Sequence, residues 1–146
     1  MAEENLKDTF QALLDSWTIA IQTKDQGWYA RHIADDFRGS SHPLPSLSLD
    51  KDRLIALDNA IDEMEATWIH VDPYRFGDIV QVRSVVRYLR EAFAAGAEIG
   101  EGMPTGEQLG GYVSGNTVLY VSAWRHNGSH WQIYDMHQVG SIGKDS

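Results

Sequence analysis

The chain has no cysteine. That removes disulfides, thiolate nucleophiles and zinc–thiolate centres from its chemistry. Basic residues are scarce. Twelve Lys and Arg stand against 21 Asp and Glu, a formal net charge of −9 with a pI near 4.9. No basic block offsets this balance, so neither a nucleic acid nor an anionic membrane is the expected partner. No apolar run approaches the ~18–20 residues of a membrane span. The opening MAEENLKD has no apolar signal-peptide core, and the expected compartment is the cytoplasm. Gly100-Glu101-Gly102 lacks both the spacing and the strand-to-helix setting of a dinucleotide fingerprint.

What is present fits one domain: 146 residues, 42% of them hydrophobic, enough for a real core. Five Trp, six Tyr and six His are the surplus to be explained. Leu6, Phe10, Leu13, Leu14, Trp17 and Ile21 recur at helical spacing and predict an amphipathic first helix. A shorter helix is expected from about Asp25 to Asp35, with Trp28 and Ile33 turned inward. Arg38 to Leu49, with Gly39, Pro43, Pro45 and several serines, reads as a loop with room for a short strand. A third helix is expected from about Asp50 to Glu65, capped by Ser48 or Asp50, with Leu54, Leu57, Ile61 and Met64 as its stripe.

The period then changes to two. From Ala66 to Val71, Trp68 and His70 fall on one face, with Thr67, Ile69 and Val71 on the other. Asp78 to Phe93 is a long β-rich run. It puts Arg83 and Arg87 on one face and Val80, Val82, Ser84, Val86, Tyr88 and Arg90 on the other. Ala94 to Gly111 is Gly-rich and acidic, a long loop or extended hairpin connection. Tyr112 to His126 and His130 to Val139 form a final hairpin about Asn127-Gly128, residues that tolerate positive φ. Helices first and an antiparallel meander second predict an α+β fold with helices on one face of a curved sheet.

The ending Asn127-Gly128-Ser129-His130-Trp131-Gln132-Ile133-Tyr134-Asp135-Met136-His137 resembles the C-terminal hairpin of the nuclear-transport-factor-2-like superfamily. In its SnoaL-like and ketosteroid-isomerase-like branches this hairpin often reads D-G-x-W-x-I-x-x-x-H. Trp131, Ile133 and His137 match, with Asn-Gly for Asp-Gly and one extra residue before the Trp. Ile33-Ala34-Asp35-Asp36-Phe37 and Phe76-Gly77-Asp78-Ile79-Val80 resemble two further family motifs in the right order. The resemblance implies a cone: a strongly curved antiparallel sheet wrapped around N-terminal helices, enclosing an apolar pocket. It also implies a homodimer, and chemistry that in most members needs no cofactor. Isomerisation, dehydration and other lyase reactions on small hydrophobic, aromatic or polycyclic molecules all occur in the family, and so do pure binding and assembly domains.

The departures matter. The isomerase branch has an Asp-Pro where this chain has His42-Pro43, one residue late. The dehydratase branch has a His on the strand after the third helix, which His70 matches, but its Tyr-Asp pair falls at Ile21-Gln22. The Asp-Arg-Asp relay of the epoxide-hydrolase branch has possible counterparts in Arg83 or Arg87 with Asp135.

The expected proton carriers are therefore His42, His70 and His137. Histidine titrates near neutrality, and Asp135, two residues from His137 on one strand, is placed to orient its ring. Tyr29 on the second helix, or an Arg, is the expected oxyanion donor, and His32 lies one turn further along the same helix face. Trp17, Trp28, Trp124 and Arg87 are the candidates for contact with substrate. For each, ordinary packing or a surface ion pair is the competing reading, since aromatic residues fill cores and Arg serves interfaces as readily as anion sites. His126 and His130 flank the turn and supply too few ligands for a metal. The Gly96–Gly111 stretch is the expected lid.

Overall fold

The structure, a computed structural model, describes residues 5–41, 44–94 and 115–142. Helix α1 spans Leu6–Thr23. The Asn5 side chain caps it by accepting from the Asp8 N–H at 3.2 Å. It stops at Lys24, whose φ of 57° is left-handed. Helix α2 (Gln26–His32) starts on an Asp25 cap and ends three residues earlier than the pattern predicts, because Ile33 is already extended. Helix α3 (Lys51–Asn59) carries the expected Asp50 cap, with Arg53 N–H donating at 2.9 Å.

Six strands follow the order β2-β1-β6-β5-β4-β3, with β1 Ile33–Ser41, β2 Leu44–Asp50, β3 Ile61–Phe76, β4 Ile79–Phe93, β5 Thr117–His126 and β6 Trp131–Ile142. The sheet is mixed: β1 runs parallel to β6 and the other pairs are antiparallel. The parallel β1–β6 pair departs from the expected antiparallel sheet; the architecture is otherwise the expected α+β cone, with two further corrections. The stretch read as a loop after Arg38 is the β1–β2 pair, Arg38 facing Asp50 and Gly39 facing Leu49. The stretch read as the second half of the third helix is the start of β3.

The second error has a physical cause. Ile61 pairs with Phe93 and Glu63 with Ala92, so Asp62 is an extra residue in a bulge. The bulge brings Ile61 and Met64 to the same side of a strand while keeping the spacing of three that imitates a helix turn.

The sheet closes over α1. Phe10, Leu14 and Trp17 are buried against it, and Phe10 meets Trp124 edge-on at 5.4 Å. Helix α1 also seals the free edge of β3. The Gln11 side-chain amide donates to the Trp68 carbonyl at 3.2 Å and that of Gln22 to the Met64 carbonyl at 2.9 Å. Exposed strand carbonyls would otherwise invite another chain. Lys24 finishes the seam by donating to the carbonyls of Asn59, at 2.9 Å, and Ile61. No helix among the described residues is long and apolar enough to cross a membrane.

Candidate functional site

A pocket opens between α1, α3 and the inner sheet face. It holds about 500 Å³ of atom-free space, its mouth included. Trp17 and Asp58 reach it from the helices; Trp68, Tyr88, Tyr120 and Met136 line it from β3 to β6. Asp58 is the group that sequence reasoning missed. It belongs to the last turn of α3 and is only 5% exposed. The signal was available: Leu54, Leu57 and Asp58 follow the i, i+3, i+4 pattern, which sets a carboxyl on the apolar stripe.

Two donors hold it. The Trp17 indole Nε1–H donates to Oδ2 at 3.0 Å and the Tyr29 hydroxyl to the same oxygen at 2.9 Å. Among the described residues no donor falls on Oδ1, and no cation lies within ion-pair distance of the carboxyl. Burial pushes its pKa up to about 6, against the two hydrogen bonds and the nearby Lys24 charge, which pull it down. The same contact holds the Tyr29 hydroxyl far above its ordinary value, through burial first and the Asp58 charge second. Tyr29 therefore stays protonated and donates. Tyr29→Phe is expected to raise the Asp58 pKa further by removing one bond to its charged form; carboxyl carbon NMR across pH 4–8 reads the shift, and a downward shift would contradict the assignment.

The remaining expected site residues are distributed differently. Trp17 lines the pocket. Tyr29 does not, but reaches it through Asp58. Trp28 is buried behind, stacked on Trp17 at 5.3 Å with its Nε1–H on Ser16 Oγ. Trp124 is fully buried on Ser122 and Phe10, away from the lining. His32 is half-buried beside Trp28, its Nδ1 2.8 Å from the Trp131 carbonyl, and burial lowers its pKa. His42 and the expected lid lie outside the described residues.

His70, Asp135, His137 and Arg87 are on the outer side of the sheet, not in the pocket, and bulges account for three of them. Trp68 pairs with Val86 and His70 with Val85, so Ile69 is extra and both Ile69 and His70 turn outward while Trp68 and Val71 point in. Trp124 pairs with Ile133 and Ala123 with Asp135, so Tyr134 is extra. Ile133 and Met136 are then buried, and Asp135 and His137 face solvent. The dyad does form there, with His137 Nε2 2.8 Å from Asp135 Oδ1. Arg83 and Arg87 share one strand face, as expected, but that face is exposed, so Arg87 does not reach the pocket as a substrate contact. Arg83 stacks over Tyr74 at 5.4 Å.

No family model and no curated protein matches the chain. Solved structures do. An NTF2-like protein from Cytophaga hutchinsonii superposes with a TM-score of 0.64 at 16% identity, over 92% of this chain and 98% of its own. A candidate Ca/calmodulin-dependent kinase II association domain from Exiguobacterium sibiricum gives 0.64 at 12%, over 94% and 95%. A candidate ketosteroid isomerase from Shewanella frigidimarina gives 0.57 at 10%, over 87% and 91%. The chain has the nuclear-transport-factor-2-like fold, and these neighbours span both assembly and isomerase descriptions.

Proposed function

We propose that the protein is a cofactor-independent acid–base enzyme, an isomerase, dehydratase or other lyase, acting on a small flat hydrophobic molecule in the pocket. Asp58 carries this reading. It is a buried carboxyl in an aromatic-walled pocket, with one oxygen fixed by two donors and a pKa of about 6. A carboxyl poised there is mostly ionised at neutral pH, yet close enough to its midpoint to accept and return a proton readily. The proton-carrying role expected of histidine passes to this group. Trp17 and Tyr29 hold Oδ2, so the proton of the substrate C–H passes to Oδ1. The hydroxyls of Tyr88 and Tyr120 share a hydrogen bond of 3.3 Å and form the polar part of the sheet wall.

The second reading is a non-catalytic small-molecule-binding domain. It is favoured by the absence of histidine from the described lining. Hydrogen–deuterium exchange separates the two. Small cyclic ketones incubated with the protein in D₂O, followed by proton NMR, are expected to lose C–H signal at least ~100-fold faster with wild type than with Asp58→Asn. Ligands that bind without any exchange would leave the binding-domain reading standing instead.

A further inference from the structure

The described lining of this pocket carries charge of one sign. Asp58 is the charged side chain of the described lining; Lys, Arg and His contribute nothing to it. Lys24 is the nearest cation, and its ammonium donates to the backbone carbonyls of Asp58, Asn59 and Ile61 rather than to the carboxylate. The chain as a whole carries −9.

The aromatic content points the same way. Trp17, Trp68, Tyr88 and Tyr120 converge on the space beside Asp58. Indole and phenol rings attract cations through the negative potential of their faces, most strongly where water is excluded. An anionic ligand would meet a carboxylate that no ion pair neutralises among the described residues. A neutral one would leave Oδ1, the oxygen without a donor, desolvated when ionised. A flat cation satisfies the carboxylate and the rings together.

We infer that the pocket is a cation site, built for an organic ammonium or iminium ion with an attached ring system, with Asp58 Oδ1 as counter-ion and the four aromatic side chains as its cage. This names the substrate class and rests on the same pocket being the ligand site. It also fits acid–base chemistry, since a positive nitrogen acidifies the C–H bonds beside it. The net negative charge of the chain draws such ions in.

Three probes of similar size and different charge test it: benzyltrimethylammonium, its neutral carbon isostere neopentylbenzene, and phenylacetate. Tryptophan fluorescence and calorimetry report binding, since Trp17 and Trp68 lie in the wall. At pH 8 the ammonium is expected to bind at least ~10-fold more tightly than the isostere, with phenylacetate weakest. Asp58→Asn should bring ammonium and isostere within about threefold of each other. Lowering the pH from 8 to 5 should weaken the ammonium about tenfold in wild type, as a carboxyl titrating at about 6 takes up its proton. Lys24, Asp62, Tyr29, Tyr88 and Tyr120 are the other titratable groups around it. The wild-type comparison needs no variant to fold. Equal affinity for ammonium and isostere overturns the inference even if the enzyme exchanges protons on neutral ketones. Tight, selective ammonium binding without any proton exchange supports it and removes the enzymatic reading.

Discussion

Asp58→Asn is expected to make the protein more stable at pH 8 while abolishing the proton transfer proposed for it. Asparagine keeps an acceptor for the Trp17 and Tyr29 donors, so the ties between α1, α2 and α3 survive. What it removes is a buried charge. The folded protein holds the Asp58 proton more tightly than the unfolded chain does, at about 6 against an ordinary 3.8. The stabilising contribution of that proton is thus complete below about pH 4 and lost as the pH rises through 6. At pH 8 the ionised wild type carries a penalty of about 3 kcal/mol, which the Asn variant escapes. Urea unfolding at pH 4, 6 and 8 is expected to show nearly equal stabilities at pH 4 and a widening advantage for Asn above it. For a chain of this length the pH 8 gap corresponds to a rise of about 6–12 °C in Tm. A variant equally destabilised at all three pH values would mean that the carboxylate is a structural tie with no cost attached. A stability gain coupled to lost activity is the pattern of a group retained for function.

The same comparison explains how much could be read in advance. The helix cap at Asp50 is a local event, a short polar side chain reaching a free N–H three residues on, and short-range pattern suffices for such a feature. The alternation from Val80 to Tyr88 also matches, since every even residue of that stretch is buried. Pattern fails where the sheet bulges. Asp62, Ile69 and Tyr134 are each the extra residue of a pairing irregularity. Each converts an inward spacing of two into three: Ile61 to Met64, Trp68 to Val71, Ile133 to Met136. A one-residue slip reverses every later side chain, so His70, Asp135 and His137 leave the pocket face together. Bulges go with the curvature of the sheet, a long-range requirement with no local signature in these segments. The fold therefore survived the errors and the site did not. Asp58 was hidden for another reason: an acidic residue in a helix reads as solvated unless its apolar neighbours Leu54 and Leu57 are counted with it.

Gly39→Ala is expected to be the most destabilising glycine-to-alanine change in a described strand. Gly39 lies in β1 against β6, where its register partner is Met136. A Cβ there would run into the Met136 carbonyl oxygen and stand 3.0 Å from the Phe37 ring. Backbone cannot yield as a side-chain tip does, so the two strands must separate. Their junction also includes the Gln138 N–H on Ser40 Oγ at 3.3 Å. A loss of about 3 kcal/mol is expected, read by urea unfolding as a lower midpoint with an unchanged slope. Gly140→Ala is the control, because nothing lies within 4 Å of the added carbon, and its expected change is within about 0.5 kcal/mol. Met136 also lines the pocket, so displacing β1 from β6 moves the wall opposite Asp58. Gly39→Ala should then weaken ammonium binding at temperatures where it is still folded, whereas Gly140→Ala should not. Equal stability of the two variants would show that β1 and β6 can part without cost, and the close approach would no longer explain the glycine.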